Sequence, residues 1–94
     1  MTAPIMPRKR PNEVLDYELD FTDRLNGDRI ATFTLPGFPA GMTQVSTSLD
    51  DTAAKVSVWV SGGTDGQVYK VIVRAVTENG RTLEEAMLIP VTSF

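Results

Sequence analysis

Residues 61–81 read SGGTDGQVYKVIVRAVTENGR, an alternating run enclosed by two glycine-rich turns. Tyr69, Val71, Val73 and Ala75 share one side of that run, while Lys70 reads as part of a solvated face. A period of two kept over this length is the pattern of a strand with one buried face. Asn79-Gly80 closes it with a tight hairpin turn, because this dipeptide readily takes positive φ. Gly80 is therefore a structural position. So is Gly66, in the Asp65-Gly66 turn that follows Gly62-Gly63. A tyrosine entering a late strand just after such a turn matches the tyrosine corner of β-sandwiches. Its ring packs in the core and its hydroxyl returns to backbone near residues 64–66. Tyr69 is expected to be a structural staple of this kind.

Working outward, Lys55–Ser61 is a second clear strand, with Val56, Val58 and Val60 on one face. Trp59 is expected to be a structural aromatic in the core or between the sheets, although the three valines already claim the inner face and leave open an exposed interface anchor. Thr82–Val91 returns as the last strand, inward through Met87, Ile89 and Val91. Pro90 cannot donate to a ladder, so that strand is expected to lie at an edge or to be paired on one side only there. Upstream, Val14–Phe21 alternates Leu15, Tyr17, Leu19 and Phe21 against Asp16, Glu18 and Asp20, and a single helical turn can follow it. Arg29–Leu35 is β-branched and aromatic. Met42–Leu49 is a weaker, polar strand in which Val45 and Leu49 share a side. About six short strands with regular turn signals predict an all-β antiparallel sandwich over residues 13–94.

Residues 1–12, MTAPIMPRKRPN, hold three of the six prolines and predict an extended basic arm with no ladder of its own. Two readings stand: a frayed terminus, or an arm that orders on a partner. In the second, Ile5 and Met6 are apolar contacts and Arg8, Lys9 and Arg10 are charge contacts. Phe38, in the loop Pro36–Gly41, is a further candidate contact.

Composition limits the chemistry. Ninety-four residues make one domain. Without histidine or cysteine there is no side chain of the usual kind titrating near neutral pH, no disulfide and no thiolate metal site. Asp16, Glu18 and Asp20 share a strand face about 6.5–7 Å apart, a spacing that any acidic strand has. Asp50-Asp51 and Asp65 read as turn formers, without an EF-hand loop. GGTDG lacks the Lys-Ser/Thr that a phosphate loop needs. No catalytic residue, metal or cofactor is predicted. No apolar run reaches the length of a membrane span, and no secretory leader is apparent at the N-terminus. The nine basic and twelve acidic residues are unevenly placed. The first ten residues carry +3, and the rest hold six basic against twelve acidic groups, or −6. A body that acidic argues against nucleic-acid binding. Binding or assembly between proteins is what remains.

Several fragments in this order resemble a known family. They are Leu15-Asp16-Tyr17, Asp20-Phe21, Gly27-Asp28-Arg29-Ile30-Ala31, Trp59, Ser61–Thr64 with Gly66 and Tyr69, and Gly80-Arg81-Thr82. Together they are similar to small immunoglobulin-like or fibronectin-III-like structural proteins of tailed bacteriophages, of the fiber–tail adaptor type. The resemblance covers most of residues 11–91, leaves out residues 36–54, and has Phe21 where tryptophan is more usual. It implies a virion structural protein, assembled in the bacterial host cytoplasm, that joins the tail tube or nozzle to fibers and contacts further copies of itself. It carries no catalytic residue to transfer. A capsid decoration protein and a carbohydrate- or receptor-binding module are the alternatives.

Overall fold

Alternating sequence resolves into two layers. The computed structural model describes residues 3–93; Met1, Thr2 and Phe94, which end the expected arm and sandwich, lie outside the described residues. The elements are β1 (Leu15–Asp20), α1 (Thr22–Leu25), β2 (Ile30–Thr34), β3 (Met42–Leu49), β4 (Lys55–Gly62), β5 (Val68–Thr77) and β6 (Thr82–Pro90). One antiparallel sheet runs β1-β4-β3 and the other β2-β5-β6. The layers meet on the valine faces: Val56, Val58 and Val60 of β4 and Val71, Val73 and Ala75 of β5 have no exposed surface. Phe21, Met87 and Ile89 join them in one apolar cluster. Burying each such side chain contributes about 1.5–3 kcal/mol.

Strict alternation fails in β3. It places Val45 with Leu49 on the inner side, yet Val45 is exposed. A bulge between Gln44 and Ser46 leaves Val45 without its own partner opposite β4. One inserted residue reverses which positions face inward. Met42 is thus buried before the bulge, and Leu49 packs against the core after it.

The proline-rich segment also departs from expectation, because it is not without a ladder. Residues 4–9, here called the strap, lie along the outer edge of β6 in parallel, with bridges Ile5 to Leu88 and Lys9 to Val91. Met6 N–H donates to Leu88 O, Leu88 N–H to Pro4 O, Lys9 N–H to Pro90 O and Thr92 N–H to Lys9 O. The prolines do not interfere, because the positions that must donate are Met6 and Lys9. Pro90 pairs with Val68 of β5 and offers the strap only its carbonyl.

Candidate docking surfaces

The strap is fixed at two points beyond its ladder. The Lys9 side chain is fully buried, and its ammonium donates to Gly62 O at 2.6 Å, Arg10 O at 2.8 Å and Pro11 O at 3.4 Å. Burial lowers its pKa, and the Glu13 carboxylate partly opposes that. The buried Tyr17 hydroxyl donates to Pro7 O at 2.9 Å.

Of the expected partner contacts, the strap therefore withdraws some and presents others. Lys9 is unavailable, because its charge is spent on carbonyls inside the domain. Met6 and the loop residue Phe38 are partly buried against the core. Ile5 stands 73% exposed, and Arg8 and Arg10 are exposed.

Trp59 lies on the outer face of its sheet, 40% exposed. This corrects the core reading: Val58 and Val60 hold the inner positions, so the residue between them must point out. Tyr69 is buried and its hydroxyl accepts from Thr64 N–H at 2.8 Å; the Thr64 side chain first, and this N–H second, lower its pKa. Gly41 and Gly63 pack on the same ring. Gly66 and Gly80 both have positive φ, at +85° and +86°.

At the α1 end, the two family fragments around Gly27-Asp28 and Gly80-Arg81 come together. Arg81 Nε lies 3.3 Å from Asp28 Oδ2, and the same guanidinium donates to the α1 carbonyl of Arg24. Asp28 also accepts from Arg29 N–H and Asn79 N–H. These two motifs thus hold the scaffold together. No single fragment announces this contact, because the partners are 53 residues apart.

The two outer faces differ. On the β1-β4-β3 sheet, Asp16 sits directly across from Trp59, Glu18 across from Ser57 and Asp20 across from Lys55. Ser46 flanks Trp59 on its other side. This face is polar and acidic around one aromatic.

On the other sheet the outward positions of β5 and β6 pair as Val68 with Pro90, Lys70 with Leu88 and Ile72 with Ala86. Ile5 of the strap extends the middle row as Ile5, Leu88, Lys70. Val68 is 59% exposed. The signal was present in the sequence: residues 86–91, AMLIPV, contain no polar side chain, as in strands covered on both faces. Here only the inner face is covered by the partner sheet.

A groove of about 770 Å³ opens where the strap ends, between Glu18 and Asp20 of β1 and Glu84–Ala86 of β6. Among the described residues there is no cluster of metal-ligating side chains, and no helix is long and apolar enough to cross a membrane.

The small sandwich thus presents two unlike outer faces. Residues 9–90 match the Gp77 family model, described as podophage GP4 fiber-tail adaptor protein gp77. The chain belongs to this family. A comparison with curated proteins gives no match.

Proposed function

We propose that the chain is a non-enzymatic adaptor of a podophage virion that joins the tail tube or nozzle to the fibers through protein–protein contacts. The observation that carries this is the family match across residues 9–90. The architecture supports it. Sheets ordered 1-4-3 and 2-5-6 correspond to strands B-E-D and C-F-G of an immunoglobulin-like sandwich, with the strap as a first strand laid on the last. Tyr69 then occupies the start of strand F, with its hydroxyl bonded five residues upstream. The exposed chemistry is apolar surface and unpaired charge, suited to other proteins. Further copies of the chain belong among the partners, whereas nucleic acid and membrane do not. The adaptor works in the tail and is assembled in the host cytoplasm.

The test is electron microscopy of particles carrying a label at the C-terminus of this chain. Label at the junction of tail and fibers is the expected result. Label spread over the head would replace the reading with capsid decoration. Particles without label would remove the virion role.

A further inference from the structure

We infer that the apolar outer face of the strap, β6 and β5 docks onto the acidic, Trp59-bearing outer face of a second copy of this chain. The inference deepens the multi-copy part of the adaptor reading by naming the surfaces that meet.

The first argument is the segregation of unpaired charge. All four ion pairs among the described residues are Arg–carboxylate pairs: Arg24–Glu85, Arg29–Glu78, Arg74–Glu84 and Arg81–Asp28. What they leave over is acidic at the Trp59 side of one face, with the unpaired Lys55 farther along that face beside Asp20. Asp16 and Glu18, without an ion pair, lie on the β1-β4-β3 face, and Lys70, likewise without one, lies on the opposite face. Lys70 borders the groove that Glu18, Asp20, Glu84 and Glu85 of its own chain also line, yet forms an ion pair with none of them, and desolvating it under a partner is costly unless an acid meets it there.

The second argument is spacing. On one face Asp16 and Trp59 are direct cross-strand partners; on the other, Lys70 and Leu88 are, with Ile5 beyond. Neighbouring strands stand about 4.8 Å apart in both sheets. An aromatic beside an acid therefore meets an aliphatic surface beside a base at the same interval. Trp59 is the type of half-exposed aromatic that anchors interfaces.

Third, the two surfaces are on opposite sides of the sandwich. One copy uses its apolar face and the next its acidic face, so the contact is heterologous and leaves a free face at each end for another copy. The patch spans three extended segments and offers on the order of 300–500 Å² per partner. That is below the roughly 800 Å² of a standard stable interface. The contact alone is expected to be weak, concentration-dependent and sensitive to salt.

The experiment is light scattering of the purified chain between about 10 µM and about 1 mM at low salt, with Lys70→Glu and Asp16→Lys tested singly and mixed. Both positions are exposed, and an unchanged thermal melt checks folding. The mean mass of the unaltered chain should rise with concentration. Each variant alone should associate at least about tenfold more weakly, because like charges then face each other. An equimolar mixture should regain association, because every contact between unlike copies again opposes a base and an acid. A monomer across the whole range, unchanged association in Lys70→Glu, or no recovery on mixing would each overturn the inference. None of these results bears on where labelled particles carry the chain, so its failure remains separable from that of the adaptor reading.

Discussion

The two ends of the sandwich perform the same task, closing the strand termini and turns, with a different balance of chemistry, although Arg81 also donates to carbonyls at the α1 end and Asp65 also accepts from Ser93 at the strap end. At the α1 end, carboxylates accept from backbone and hydroxyl donors. Asp50 takes Thr52 Oγ1–H and the N–H groups of Ala54 and Lys55; Asp20 takes both donors of Thr22; Asp28 takes Arg29 and Asn79 N–H. At the strap end the central group is a cation, the Lys9 ammonium, surrounded by carbonyls. The α1 end is open: a Cβ placed on Gly80 would meet nothing within 4 Å. The strap end is closed at Gly63, where a Cβ would come within 2.8 Å of Val91 Cγ2, while Gly66 at its rim has open space. One end is solvated and tolerant, the other packed and exacting. The parallel strand that presents Ile5 to the outer face rests on the exacting one.

The sharpest contrast comes from the two glycines. Gly63→Ala forces a side chain into φ +101° and into Val91, and should destabilise by about 3 kcal/mol. Gly80→Ala has only the unfavourable φ of +86° to bear, about 1 kcal/mol. Chemical denaturation of the two variants measures the difference. Equal losses would mean that the strap end is no tighter than the hairpin.

Next comes Lys9→Met, which keeps the volume and removes the ammonium, leaving the carbonyls of Gly62, Arg10 and Pro11 without it. A loss of about 2 kcal/mol is expected. The local signature matters more than its size. Amide protection at Met6 and Leu88, which report the strap ladder, should fall well below that of β4 and β5, and trypsin should cut after Arg8, since Arg10 is followed by Pro11. Protection at Met6 and Leu88 that stayed equal to that of β4 would show that the ladder and Tyr17 hold the strap without Lys9.

Lys9 also marks where sequence reading stopped. The strands were legible because each rests on a local pattern: β4 and β5 alternate without interruption, and their bounds follow from Gly62-Gly63, Asp65-Gly66 and Asn79-Gly80. Tyr69 was legible for the same reason, since its partner Thr64 lies in the adjoining turn. The bulge at Val45 was not, because one unpaired residue leaves composition unchanged while it reverses orientation. A lysine within Arg-Lys-Arg reads as solvated, and nothing local shows that Gly62, 53 residues away, supplies its acceptor. Prolines suggested a free arm, yet they fall only where no ladder N–H is required. The docking face was half legible: the unbroken AMLIPV run announces two covered faces, but only the register with Lys70 and Ile5 shows what lies on the outer one.

The smallest effect is pH dependence, and it separates the ends by pH window, acid for the carboxylates and alkaline for Lys9. Asp20, Asp28 and Asp50 have pKa values below the usual carboxylate range. The leading causes are hydrogen bonds from Thr22, Thr77 and Thr52 respectively. A carboxyl whose folded pKa is depressed contributes stability that is present above its unfolded value, near 3.8, and lost as pH falls towards the folded one. Lys9 is shifted downward too, but in the alkaline range. Its folded pKa lies below 10.5, so between the two values the unfolded chain holds more protons and stability rises with pH. Below that alkaline window Lys9 is protonated in both states and contributes no slope. Hydrogen exchange at about pH 3, compared with about pH 6 after correction for intrinsic rates, should show protection falling first at Ala54, Lys55 and Arg29, whose N–H groups bond Asp50 and Asp28. The strap amides of Met6 and Lys9 should hold. Simultaneous loss at both ends would mean that acid opens the sandwich as one unit, and that the division of chemistry between its ends has no separate energetic consequence.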